Sequence, residues 1–276
     1  MAISSVSPVS QYISAMKDED TAAANYAKTD ATTKLESSKF EESASAITAA
    51  SDLLNNYTAL KVVLGAYNLS SISKQAALVK DLLKQDPTSS ESGAQSSGNA
   101  TWLAFADAFS TWGENGGSST ETMFTSDKID SIVSSFQLNQ YESNDDNSDS
   151  GVGNALYFTR SIGSKTSLAQ IMSDSKLLKV VVTVSGYDPD QFGALDYDQQ
   201  VRMLSKTFDI NDFSSDKKIQ QYAERYLAML QINPQTTDKP ATMMDLFGGD
   251  GDSNSILALF DSSSSSTSGS LYSGLF

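Results

Sequence analysis

The chain has 276 residues, with 19 Lys and Arg against 34 Asp and Glu, a formal net charge of −15, and neither His nor Cys. Without Cys there is no disulfide, thiolate nucleophile, iron–sulfur cluster or thiolate zinc site, and without His no Ser-His-Asp triad, imidazole ligand or imidazole acid–base catalyst. The acidic balance, with only Arg160, Arg202 and Arg225 as arginines, supplies no basic stripe, so neither nucleic acid nor anionic lipid is an expected partner.

Residues 1–10 are Ser-rich and polar, without the basic and apolar regions of a cleaved secretory signal. They are expected to form a flexible terminus, compatible with an uncleaved export signal or with ordinary fraying. The apolar run over 177–184 is interrupted by Lys179 and is too short to span a bilayer.

Residues 31–54 are predicted to be helical, with Leu35, Phe40, Ile47 and Leu54 near helical spacing and no Gly or Pro between them. Residues 57–67 follow with Leu60, Val63 and Leu64 on one face, and Asn68 offers a stop. Residues 73–83 carry a stripe of Ala76, Leu78, Val79, Leu82 and Leu83 before Pro87. The Ser/Gly segment 88–99 is expected to be a mobile loop. Over 100–109, Trp102, Phe105 and Phe109 recur at helical spacing as core residues. Residues 113–119 break the chain, and 120–141 resume with Ile129, Ile132, Val133 and Phe136 as a buried side.

The acidic stretch 142–153 is expected to be a linker. Beyond it, helices are predicted over 167–172, 174–185, 198–208 and 216–230. The last has Ser215 as its cap and Ile219, Tyr222, Tyr226, Met229 and Leu230 on one face. Val180 to Val184 is β-branched enough to form a strand instead. Residues 233–276 form a low-complexity tail expected to be disordered. The expected fold is therefore mainly α: a bundle of short helices with Ser/Gly/Asp-rich loops, a first lobe over 11–141 and a second over 154–232.

A short echo bears on those lobes. Leu60-Lys61-Val62-Val63 returns as Leu178-Lys179-Val180-Val181, and each copy precedes a turn and a helix opening on Lys74-Gln75 or Asp198-Gln199. Two related lobes would produce this, and so would chance matching of apolar tetrapeptides.

Few constellations could carry chemistry. Ser71/Lys74 and Ser173/Lys176 have the Ser-x-x-Lys spacing of serine acyl-transferases, but no companion motif follows. Gly163-Ser164-Lys165-Thr166 lacks the upstream Gly of a phosphate loop. Asp250, Asp252, Asn254 and Asp261 fall at positions 1, 3, 5 and 12 of a calcium loop, with Leu257 at position 8. Ser255 stands where the turn requires Gly, and Asp261 is short for the bidentate Glu, so a solvated acidic loop is the plainer reading. No other cofactor is expected, and nothing here replaces His and Cys in catalysis; the alternatives to an interaction protein are a secreted calcium-responsive module using Asp250 to Asp261 and an enzyme built on carboxylates or Lys.

The segments "YISAMKDEDTAAANYAKTD", "SASAITAASDLLNNYTALKVVLGAYNL", "SDSKLLKVVVTVSGYD" and "SSDKKIQQYAERYLAML" resemble the alphaproteobacterial domain-of-unknown-function family 1217. Its apolar helix ends in a Gly-Ala-Phe/Tyr-x-Leu signature, here Gly65-Ala66-Tyr67-Asn68-Leu69. The likeness spans about residues 11–232. It implies association with the bacterial flagellum and protein partners among flagellar components, in a family with no established catalytic activity. The chain would then be an exported component or export-linked accessory, cytoplasmic before export and secreted without a cleaved signal. The inserts at 88–99 and 142–153 and the carboxy tail depart from the family pattern.

Overall fold

Side-chain caps cut the chain into short helices. The computed structural model describes residues 7–112, 123–144, 147 and 149–232, and holds fifteen α-helices and no strand among them. The mainly helical bundle expected from the sequence is what forms. The chain divides into Met1–Pro234 and Gln235–Phe276, and the second unit, with the expected tail, lies outside the described residues.

Helix α1 (Pro8–Met16) starts on Ser7 with Pro8 in its first turn, so the expected flexible terminus turns helical before residue 10. Asp18 caps α2 (Glu19–Thr29), and Asp30 caps α3 (Ala31–Ala44). The single helix predicted over 31–54 is broken after Ala44. The Asp52 carboxylate accepts from the N–H groups of Thr48 and Ala49 and so opens a new helix, α4 (Ala50–Asn55). Asn56 then caps α5 (Tyr57–Ala66).

Helix α6 (Ala76–Lys84) precedes the segment predicted as a mobile loop, which instead contains one helical turn, α7 (Gly93–Ser96). Ser92 and Ala94 are buried there, and Gln85 Oε1 accepts from the Gly93 N–H at 2.7 Å. Helix α8 (Ala100–Ala108) places Phe105 and Phe109 in the core with Trp102 at its margin. Helix α9 (Ser126–Glu142) lies along α2, α3 and α5.

Beyond it come α10 (Val152–Ser161), α11 (Leu168–Met172), α12 (Ser175–Val184), α13 (Pro189–Gly193), α14 (Tyr197–Thr207) and α15 (Asp216–Ile232). The β-branched run Val180 to Val184 is helical, because it completes the stripe that starts at Leu177 and is buried on nearly every side.

Two hydrophobic clusters result. One runs from Phe40 to Phe136, with Phe105, Phe109, Trp112 and Phe124 packed ring against ring. The other gathers Val152 to Leu227 and takes in Tyr12, which the sequence places with the first lobe. Tyr12 is fully buried, and its hydroxyl lies 2.7 Å from Thr159 Oγ1.

The echo in the sequence is a repeat in three dimensions. Each residue of α12 stands 118 positions after its counterpart in α5, Ser175 against Tyr57 and Val184 against Ala66. At that spacing Phe158 matches Phe40, and the cap Asp174 matches Asn56. Gln170, accepting from Thr166, likewise matches Asp52, accepting from Thr48.

The helix ends match as well. Leu69 N–H donates to Leu64 O and Asn68 N–H to Gly65 O, while Tyr187 N–H donates to Val182 O and Gly186 N–H to Thr183 O. This Schellman closure needs a left-handed residue, supplied by Asn68 (φ 58°) and Gly186 (φ 85°). The Gly-Ala-Tyr-Asn-Leu signature is thereby explained: Gly65 lets Phe136 approach, Asn68 turns the chain and Leu69 buries the closing contact.

Candidate functional site

Where the two repeats meet, charged groups are withdrawn from water. The stretch expected to be a linker begins with Glu142, the last residue of α9, whose side chain is 0% exposed. It ends with Gly151, Val152 and Gly153, all buried where α10 begins. A Cβ at Gly153 would sit 1.7 Å from the Glu142 carbonyl oxygen, so only glycine lets α9 approach this closely.

Around Glu142 stand groups from three other helices. Arg160 of α10 places Nη1 2.7 Å from Oε1, and Lys176 of α12 places Nζ 3.7 Å from Oε2. Neither carboxylate oxygen makes a hydrogen bond of regular geometry, so the attraction is mainly ionic. Arg160 also lies 3.4 Å from Glu19 Oε1 in the first turn of α2. Both cations flank the Tyr157 ring, Arg160 at 5.6 Å and Lys176 at 5.0 Å from its centre. The Tyr157 hydroxyl donates to Asp174 Oδ2 at 2.6 Å, while Asp174 Oδ1 caps α12 through the N–H groups of Lys176 and Leu177.

Burial sets the protonation of these groups. Desolvation lowers the pKa of Lys176, against the pull of Glu142. Arg160 is pushed downward by burial, but Glu142 and Glu19 together hold it above its ordinary value. Burial and the Asp174 carboxylate hold the Tyr157 phenol far above its usual range. Glu19 is raised to about 7, first by desolvation and then by Glu142.

Two expectations follow. Asp174→Ala removes a helix cap and strands a buried phenol, and should cost about 2–4 kcal/mol in urea denaturation; a loss below about 1 kcal/mol would contradict the packing described. For Glu19, an unfolded carboxyl near pKa 4.5 releases its proton before the folded one near 7. Its stabilising contribution is therefore full below about pH 4.5 and is lost as pH rises through about 7. Glu19→Gln should flatten this slope and raise the melting temperature at pH 8 by roughly 5 °C. Parallel wild-type and variant profiles from pH 5 to 8.5 would refute it.

The cluster was missed in the sequence because its members lie far apart and each is commonplace alone. The traceable signal was Glu142 followed at short range by Gly151 and Gly153. Of the motifs singled out, Ser173 and Lys176 are not brought together as a pair: Ser173 Oγ donates to Gln170 O, and Lys176 Nζ turns to Glu142 and Ser143. Ser71 lies in a short 3-10 turn whose neighbour Ser73 donates to Ser70 O, and no hydrogen bond joins it to Lys74. Gly163 and Ser164 belong to another such turn, following α10.

The calcium-loop residues Asp250, Asp252, Asn254 and Asp261 lie outside the described residues. Among those described, no group of three or more carboxylates is placed to hold a metal ion, and no helix is long and apolar enough to cross a membrane. A surface cavity of about 270 Å³ lies on α15, lined by Asp212, Phe213, Lys218, Gln221, Tyr222 and Arg225.

The architecture defines a class: a mainly helical protein whose described residues form two repeats joined around the buried carboxylate of Glu142. The chain belongs to the family described as "Protein of unknown function (DUF1217)", which it matches over residues 66–219. It is similar in fold to the crystal structure of protein AGR_C_984 from Agrobacterium tumefaciens, with a TM-score of 0.67 at 18% identity. That alignment covers 81% of this chain and 93% of the other. No curated protein matches the sequence.

Proposed function

We propose that this chain is a non-enzymatic structural or interaction protein of the bacterial flagellum, working through protein–protein contacts as an exported component or export-linked accessory. The observation that carries the non-enzymatic half is the state of its desolvated charges. Glu142 is paired with both Arg160 and Lys176 between helices, and Asp174 is occupied by a phenol and two backbone N–H groups. A catalytic acid or base must instead be poised towards a substrate.

The flagellar half draws on the family resemblance. Before export the chain would be cytoplasmic. A deletion strain should swim poorly on soft agar, and the protein should be recovered with sheared flagella or in the medium. Recovery solely in the cytoplasm together with normal swimming would overturn the reading.

A further inference from the structure

The first two helices of the chain serve different repeats. Helix α1 lies on α10 and α15 of the second, with Tyr12 fully buried and Val9, Ile13 and Met16 partly so. Helix α2 lies on α9 and α3 of the first, where Ala23 and Ala27 are buried and the Tyr26 ring stands 6.1 Å from that of Tyr141. Only Lys17 and Asp18 separate the two helices, so the chain crosses between repeats at this elbow. The next residue is Glu19, which reaches the buried junction through Arg160 and keeps 18% of its side chain exposed.

The junction gathers more negative groups than positive ones. Glu142 of α9, Asp174 at the cap of α12 and Glu19 face two cations, Arg160 of α10 and Lys176 of α12. Glu142 has both cations, and Asp174 has a phenol and two N–H groups. Among the described residues Glu19 pairs with Arg160 alone, at 3.4 Å. Asp20 of its own helix adds another negative charge, and α1 contributes the Tyr12 phenol, which burial keeps neutral. No charge from α3 is among those that act on Glu19. Full ionisation would set Glu19 and Glu142 against each other around one guanidinium where water is scarce, which raises the cost of the second charge. Glu19 is therefore the group that takes a proton, and its exposed edge lets that proton exchange with solvent.

We propose that the proton on Glu19 is a latch for helix α1. With the proton in place, Glu19 rests beside Glu142 and Arg160, the elbow stays seated and α1 lies on the second repeat. Once the proton passes to water, two carboxylates repel across the junction, and Glu19 turns out to solvent, carrying Lys17 and Asp18 with it. Helix α1 then lifts from α10 and α15, because it is a nine-residue helix held there by one fully buried side chain. Helix α2 stays, packed along α9 and α3. Low pH thus closes the strap and high pH opens it. The device stands independently of the flagellar setting.

Hydrogen exchange of the full chain, corrected for the intrinsic rate at each pH, is the test, because it reads local opening helix by helix. With its carboxyl near pKa 7 on the seated elbow and near 4.5 once released, Glu19 should raise the open fraction of α1 about tenfold between pH 6 and pH 8.5. The amides of α1 should be less protected than those of α9 and α10 throughout, since the strap opens without the rest. Glu19→Gln has no proton to lose, so its α1 should stay protected across the same range, and circular dichroism should show an unchanged fold. Wild-type α1 protection that does not change with pH, a variant whose α1 loosens as wild type does, or α1 opening only together with α9 and α10 would each overturn the proposal.

Discussion

Gly153→Ala is expected to destabilise the protein by at least about 3 kcal/mol, although it adds a single methyl group within a helix. In an exposed helix the same change would be stabilising, because alanine is the better helix former. Here the new Cβ would meet the Glu142 carbonyl oxygen at 1.7 Å, and that atom belongs to backbone, which cannot rotate aside as a side chain does. Helices α9 and α10 would have to separate, exposing Glu142 and the groups around it. Gly193→Ala is the control: a Cβ there meets nothing within 4 Å, so the variant should be neutral or gain up to about 1 kcal/mol. Urea denaturation of the two variants side by side is the measurement, and equal midpoints would show that the close approach does not exist.

Glu142→Ala should cost about 1–3 kcal/mol, because it leaves the half-buried Lys176 and the partly exposed Arg160 beside each other without their common counter-charge. The loss reflects stranded cations more than a large net attraction, and this gives a second expectation. Replacing Glu142, Arg160 and Lys176 together by Leu, Met and Met should recover most of the stability, since apolar side chains of similar volume carry no desolvation penalty. If the single variant loses less than about 1 kcal/mol, or the triple variant is less stable than the single, the junction is not held as described.

Much of the fold was legible in the sequence because helices advertise their faces and ends locally. Asn56, Asn99, Thr125 and Asp174 cap helices from their own positions, and stripes such as Ile219, Tyr222 and Tyr226 fix which side turns inward. What escaped depends on partners distant in the chain. Ser/Gly composition suggested a loop over 88–99, yet Gln85 and the burial of Ala94 order it, and Asn99 Nδ2 reaches Ser173 O. Acidic composition suggested a linker over 142–153, yet Glu142 is drawn inside by cations eighteen and more residues away. Composition averages over a segment, whereas burial is decided residue by residue. The tetrapeptide echo could not by itself separate repetition from chance; the matching of caps, closures and Thr48/Asp52 with Thr166/Gln170 at one fixed spacing does.

The seating of Tyr12 has a consequence for how the chain is assembled. Its hydroxyl partner, Thr159, is 147 residues further along, and the rest of its surroundings extends to Leu227. During synthesis α1 therefore leaves the ribosome long before Thr159 and Leu227, and its seat is complete only when nearly the whole described chain has followed. Closing so long a loop is slow compared with forming the short helices between. Helix α1 is thus made well before the residues that bury it and is fixed late.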